Sequence, residues 1–170
     1  LQWVLNSYLV TLTALLLLGG VLGDRYGRRK VFVIGLLAFT AASVLCGVAP
    51  NVELLIAARA AQGVGAALLV PGSLAIISAS FSKDDRGRAI GTWSGFTAIS
   101  AGVGPVLGGW LIEHVSWRWI FFINVPPAAL VLLIAWRRVP ESRDDGAGER
   151  VDILGAAAAT LGLGGVVYGL

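Results

Sequence analysis

Long uncharged apolar runs, separated by short polar stretches, constrain this chain more than any other feature. Residues 3–22 and 31–49 contain no charged side chain. Further apolar runs follow at 54–80, 89–112, 117–136 and 152–170. A helix rises 1.5 Å per residue, so about twenty such residues cross a hydrocarbon core of about 30 Å. The pattern predicts an all-α polytopic membrane protein, and 56% hydrophobic residues exceed the usual share in soluble domains.

The basic residues indicate on which side of the membrane each separator lies. Eleven of the 13 Lys and Arg residues occur in three separators that share one side of an antiparallel bundle, 23–30, 81–88 and 137–151. The positive-inside rule predicts that these three separators are cytoplasmic loops. Leu1 then lies outside, and we expect at least one further helix before it.

The first basic separator carries a specific pattern together with the end of the preceding run. The pattern is Gly20-x-x-x-Asp24-Arg25-x-Gly27-Arg28-Arg29-Lys30. An ordinary basic loop would explain the positive charges but neither the acid nor the glycines. The pattern resembles the loop 2–3 signature of the major facilitator superfamily. That resemblance implies a helix bundle with inverted repeats, in which Gly20, Asp24, Arg25, Gly27, Arg28 and Arg29 form a conformational switch.

The resemblance also suggests how this switch works. Gly20 would let a helix from the other half of the transporter approach closely, and Asp24 would interact with the positive N-terminal end of that helix. Arg28 would pair with Asp24 and lock the cytoplasmic gate in the outward-open state. Neutralising Asp24 would weaken this latch.

A second candidate site surrounds an arginine inside the third apolar run, in the pattern Arg59-Ala60-Ala61-Gln62-Gly63. A charge inside a span is costly and usually faces a cavity or a partner, although Arg59 could instead snorkel to the outer surface. The pattern resembles the fourth-helix signature of proton-coupled members of the superfamily. Arg59 and Gln62 would then stabilise the ionised form of a carboxylate that takes the coupling proton. The resemblance places that carboxylate in helix one, before Leu1.

The fourth apolar run contains small residues and a proline, namely Gly91, Gly104, Pro105, Gly108 and Gly109. Glycines one turn apart let helix backbones approach closely in lipid, and Pro105 is expected to kink the helix. The pattern resembles the fifth-helix antiporter signature of exporters, with Ser100 where that signature usually has glycine. It implies export by antiport.

The stretch from Trp117 to Pro126 predicts an interfacial anchor followed by a proline-kinked helix. It is similar to the start of helix six in drug:proton antiporters of the fourteen-helix EmrB/QacA type. Asn124, together with Asn6 and Tyr8 in the first run, could line a cavity. In this family the chain would cover helices two to seven: 1–138 in the N-terminal half without helix one, 139–151 as a cytoplasmic linker, and 152–170 as the next helix.

These features predict a proton-coupled efflux transporter of hydrophobic or cationic compounds in a bacterial plasma membrane. Its partners would be small-molecule substrates, protons, the lipid bilayer and the other transporter half, with no nucleic acid and no cofactor beyond the proton gradient. Alternatives are an exporter of an endogenous metabolite, such as a siderophore or antibiotic, and a non-transporting sensor on the same fold. An enzyme is not expected, because no catalytic triad or phosphate-binding loop occurs.

Three further residue groups are predicted to have no special chemistry. Cys46 lies alone in an apolar run and is expected to be a buried structural thiol. His114 lacks the partners of a metal site, so we expect no metal and a solvated side chain. Asp84 and Asp85 are expected to lie in an ordinary solvated loop.

Overall fold

The computed structural model describes residues 2–142 and six isolated helical positions beyond them: 155, 158, 160–162 and 165. The predicted linker after Ser142 and the predicted helix 152–170 otherwise lie outside the described residues. Residues 2–142 form helices and turns without a β-strand, which confirms the all-α prediction.

The helices follow the predicted apolar runs closely. They are α1 (Gln2–Tyr26), α2 (Arg28–Val48), α3 (Val52–Ser80), α4 (Lys83–His114), α5 (Trp119–Phe122) and α6 (Val125–Arg138). Helices α1 to α4, and α5 together with α6, give five segments that are long and apolar enough to cross a membrane. The first five predicted spans are therefore confirmed within the described part of the chain.

Helix α3 is the centre of the bundle, and both α1 and α2 pack along it. Two glycines of α3 allow this close packing. A Cβ added at Gly63 would lie 2.6 Å from the carbonyl oxygen of Tyr8, and one added at Gly65 would lie 2.5 Å from the backbone nitrogen of Phe39. In lipid, where apolar burial drives association weakly, such contacts between small residues hold helices together. Cys46 is fully buried in this bundle, as predicted.

Helix α4 differs from the others because it buries none of its residues. It contacts α3 and α5 only lightly. Pro105 lies inside this continuous helix, while a Cβ added at Gly91, Gly104 or Gly108 would meet no described neighbour within 4 Å. The face that carries the glycine pattern is therefore unpacked in the described part of the chain.

The predicted loops 23–30 and 81–88 are largely helix ends, which corrects the sequence prediction. Only Gly27 separates α1 from α2, and its φ of 108° lies in a region that favours glycine. Ser82 caps the other junction, since its hydroxyl accepts a hydrogen bond from the backbone nitrogen of Asp85. Asp84 and Asp85 thus lie in the first turn of α4, where the helix dipole stabilises acidic side chains.

The span predicted at 117–136 is interrupted rather than merely kinked. Helix α5 ends at Phe122, and α6 begins at Val125 with two prolines in its first turn. Pro126 and Pro127 have no N–H group, so a continuous helix through this point would lose hydrogen bonds. The carbonyl of Phe121, beside this interruption, accepts a hydrogen bond from the Ser43 hydroxyl of α2 at 3.0 Å.

Candidate functional site

Arg59 projects from α3 toward α1, and its guanidinium has three kinds of contact. Its Nε donates to the carbonyl of Val4 at 3.1 Å, and one terminal nitrogen donates to Oε1 of Gln62 at 2.6 Å. The guanidinium carbon lies 4.3 Å from the centroid of the Tyr8 ring. These contacts hold the half-buried side chain against neighbouring helices, and none of them directs it away to the surface.

All these partners of Arg59 are neutral. In the described part of the chain, the ion pairs within 4.0 Å involve Arg28 and Arg29, and no carboxylate reaches Arg59. An arginine with no counter-ion in a low-dielectric bundle attracts a negative charge strongly. The site can therefore accept a carboxylate from another segment.

Gln62 connects Arg59 to α2 and to the interruption between α5 and α6. Its side chain is only 2% exposed, and its Nε2 donates to the hydroxyl of Ser43 at 2.9 Å. Asn124, at the helix interruption, donates to the same hydroxyl at 3.0 Å. Ser43 was not predicted as a functional residue, because a serine within an apolar run shows only that it is polar.

The three residues predicted to line a cavity, Asn6, Tyr8 and Asn124, do not lie together. Tyr8 stacks on Arg59, and Asn124 bonds inward to Ser43. Asn6 is half-buried on α1 and makes no side-chain hydrogen bond to a described residue. Gly63, which shares the sequence pattern with Arg59, is one of the points where α1 and α3 are in close contact.

The second candidate site lies at the junction of α1 and α2. Nε of Arg28 donates to Oδ1 of Asp24 at 2.9 Å, and a second guanidinium nitrogen lies 2.8 Å from the same oxygen. This ion pair spans the turn at Gly27. Arg25 points away and is exposed, with its guanidinium 5.6 Å from the centroid of the Tyr26 ring.

A small notch opens beside this ion pair, between α1 and α3. Its volume is about 90 Å³, and it is lined by Gly19, Gly20, Gly23, Asp24, Arg28, Pro71, Gly72 and Ala75. Six of these eight residues are glycine, alanine or proline, so the surface is nearly bare backbone with one ion pair at its edge. Such a surface suits the close approach of another helix.

Glu141 joins the end of α6 to the start of α2. Its carboxylate accepts a hydrogen bond from the backbone nitrogen of Arg29 at 3.0 Å, and the carbonyl of Ser142 accepts one from the backbone nitrogen of Arg28 at 2.8 Å. Arg29 also donates to the carbonyl of Val139 at 3.0 Å. These contacts satisfy free N–H groups at a helix start and place negative charge there. They also put 23–30 and the first residues of 137–151 on one side.

Residues 1–168 match the Major Facilitator Superfamily. The chain belongs to the major facilitator superfamily. It is therefore a multi-pass membrane protein, in agreement with the five apolar spans of the described residues.

Curated relatives within the superfamily include resistance proteins of several bacteria. The chain is 41% identical to the methylenomycin A resistance protein of Bacillus subtilis, over 99% of its own length and 36% of that protein. It is 40% identical to the multidrug resistance protein Stp of Mycobacterium tuberculosis, over 99% of its length and 31% of that protein. It is 34% identical to the tetracenomycin C resistance and export protein of Streptomyces glaucescens, over 99% of its own length and 31% of that protein. The chain thus spans about a third of the length of these relatives.

The predicted residues of α4 lie outside both candidate sites. Helix α4 carries the whole glycine and proline pattern, namely Gly91, Gly104, Pro105, Gly108 and Gly109. His114 ends that helix, exposed, and stacks on Trp110 with ring centroids 5.2 Å apart. Among residues 2–142 no group of three or more His, Cys, Asp or Glu could hold a metal ion.

Replacing Gly27 by alanine is expected to destabilise the protein by about 1–3 kcal/mol, because any residue with a Cβ is strained at a φ of 108°. The added Cβ would also lie 2.6 Å from Oε1 of Glu141 and disturb that contact. Thermal unfolding in detergent measures the loss. Gly87→Ala is the matched control, because its Cβ meets no described neighbour within 4 Å. Equal midpoints for the two variants would contradict this role of Gly27.

Proposed function

We propose that this chain forms part of a proton-coupled exporter, a drug:proton antiporter of small hydrophobic or cationic compounds. The observation that carries the proposal is Arg59, a cation on α3 whose partners among the described residues are all neutral. The names of the relatives, which concern resistance to single antibiotics or to multiple drugs and in one case export, support the direction of transport.

In this mechanism Arg59 is the fixed charge against which a coupling carboxylate titrates. While the carboxylate is ionised, Coulomb attraction to Arg59 holds its helix against α3. When it binds a proton the attraction disappears, and the two halves of the transporter can rock about a central substrate site. Drug release and proton entry then use the same conformational change in opposite directions. Tyr8 and Gln62 keep the guanidinium in place during both steps.

The notch beside Asp24 and Arg28 would supply the cytoplasmic latch. A helix of the other half would lie on the bare backbone around Gly20, with its positive N-terminal end near Asp24. Separation of the two halves would then break this contact when the cytoplasmic side opens. The hydrogen bonds of Glu141 to the start of α2 would keep α2 and α6 moving as one body, because they join the ends of the two helices.

The full gene product in inverted membrane vesicles tests the proposal. An inside-acid proton gradient is imposed, lipophilic cationic dyes are added one at a time, and internal pH is followed. We expect dye-dependent loss of the gradient in vesicles that contain the protein and none in vesicles without it. No response to any dye, with the protein verified in the membrane, would exclude multidrug export.

A second candidate is export of one antibiotic, made by the same cell or by a competitor. It is favoured by two of the relatives, whose names each specify a single antibiotic. The same vesicles distinguish the two functions, because a single-substrate exporter would dissipate the gradient with one antibiotic class and with no cationic dye.

Replacing Asp24 by asparagine is expected to slow transport by about tenfold or more while leaving the protein folded. The ion pair to Arg28 is partly exposed, so its loss costs at most about 1 kcal/mol of stability. Asparagine, however, lacks the negative charge that the positive end of a docking helix attracts. Dye-driven proton release and thermal unfolding measure the two effects. Glu53→Gln neutralises an acid in the first turn of α3 as a control, and equal transport by both variants would contradict the latch.

A further inference from the structure

Three side chains and one carbonyl form a chain of hydrogen bonds across the bundle, in which every bond is donated in the same direction. Arg59 donates to Gln62 at 2.6 Å, and Gln62 donates to Ser43 at 2.9 Å. Ser43 donates to the carbonyl of Phe121 at 3.0 Å. Asn124 adds a second donor to the Ser43 hydroxyl. The chain begins at the charged group of the first candidate site and ends at the helix interruption.

The chemistry of the two ends fixes the direction of every bond. A guanidinium can only donate and a backbone carbonyl can only accept, so Gln62 must turn Oε1 toward Arg59 and its NH₂ toward Ser43. The Ser43 hydroxyl has one donor and two acceptor positions, and all three are used. Its side chain is fully buried, so water cannot replace a lost partner.

We propose that Ser43 is a positioning residue for proton coupling, which holds Gln62 in the orientation that keeps Arg59 in place and links Arg59 to the α5–α6 interruption. This inference rests on the proposed function for its effect on transport. Its structural part, the link between Ser43 and Arg59, stands on the hydrogen bonds alone. Bonds that share one direction polarise and strengthen one another, so loss of the central hydroxyl weakens both sides.

This chain of hydrogen bonds from Arg59 to the Phe121 carbonyl, called the relay below, makes the α5–α6 junction part of the coupling machinery. A change in backbone at Phe121 or Asn124 alters the acceptors and donors of Ser43, and Gln62 must then reorient. Besides Gln62, the groups that face Arg59 are Tyr8 and the Val4 carbonyl from α1 and the ring of Phe121 from α5, whose centroid lies 6.0 Å from the guanidinium carbon. Of these only Tyr8 is titratable, while the thiol of Cys46 lies 4.0 Å from Gln62 Oε1.

The first test needs no transport and uses the full gene product in detergent. Ser43→Ala and Arg59→Ala are combined, and thermal midpoints are compared in a double-mutant cycle. Because either change breaks the same chain, we expect the double variant to lose clearly less than the sum of the single losses. Thr40→Val is the matched control, since among the described residues this hydroxyl bonds only the Leu36 carbonyl of its own helix. Additive losses for Ser43 and Arg59 would overturn the relay.

The second test is the pH profile of dye-driven proton release. Without Ser43 the guanidinium is less well placed to favour an ionised carboxylate, so we expect the midpoint of the profile to rise by about one pH unit in Ser43→Ala. Thr40→Val should keep the wild-type midpoint, and Ser43→Thr, which restores a hydroxyl, should move it back toward wild type. An unchanged midpoint in Ser43→Ala, with an active wild-type protein, would overturn the positioning role. A silent wild-type protein would instead count against proton-coupled export, and the cycle would still decide the relay.

Discussion

Arg59→Ala is expected to abolish dye-driven proton release, with a fall of at least about a hundredfold. In the proposed mechanism the variant would leave the coupling carboxylate without its counter-charge, and removal of one partner from a buried ion pair costs about 3–5 kcal/mol. Arg59→Lys should keep only part of the activity. An ammonium group cannot stack on Tyr8 while it donates to both Val4 and Gln62 in the present geometry. Proton release is measured in inverted vesicles at matched protein levels.

Arg118 provides the matched control for this prediction. Its guanidinium lies 4.9 Å from the Trp117 ring centroid and donates to the Gly47 carbonyl at 2.7 Å, so it too combines an aromatic ring with a backbone oxygen. Arg118 lies beside the C-terminal end of α2, whereas Arg59 projects from α3 toward α1. Arg118→Ala should therefore lose some stability but keep coupling. Equal loss of transport in both variants would show that Arg59 acts only through folding.

Hydropathy predicted the positions of the spans well, because each apolar run must bury its backbone hydrogen bonds in a helix when it lies in lipid. Helix ends were less predictable. Charged residues at 23–26 and 83–88 continue their helices, since a helix leaves the membrane without having to stop. The interruption before Pro126 was anticipated only as a kink, because the sequence alone does not reveal that the Ser43 hydroxyl of α2 donates to the Phe121 carbonyl there.

The candidate sites were predictable where the chemistry is local in sequence. Arg59 with Gln62, and Asp24 with Arg28, lie one helical turn apart, and each pair is joined in the structure. Ser43 and Glu141 were missed, because their partners come from distant parts of the chain. Glu141 bonds a residue 112 positions earlier in the sequence. Only the packing of the helices brings such groups together.

The same substitution at the neighbouring glycines 19 and 20 should change the stability of the protein by different amounts. A Cβ at Gly19 would overlap the carbonyl of Ala67 in α3, whereas one at Gly20 would lie 3.6 Å from the Cβ of Pro71, an ordinary contact. Gly19→Ala is therefore expected to lose about 1–3 kcal/mol of stability through overpacking of α1 against α3. Gly20→Ala should unfold near the wild-type temperature.

Transport should separate the two glycine variants again, because Gly20 lines the notch that is open to another helix. A methyl group there would hold the docking helix away, and we expect Gly20→Ala to slow dye-driven proton release by about tenfold, equivalent to about 1.4 kcal/mol. Thermal midpoints and transport rates of both variants, measured on the same preparations, give the comparison. Normal transport by a stable Gly20→Ala protein would mean that no helix approaches the notch closely. The conformational switch would then depend on the charges of Asp24 and Arg28 alone.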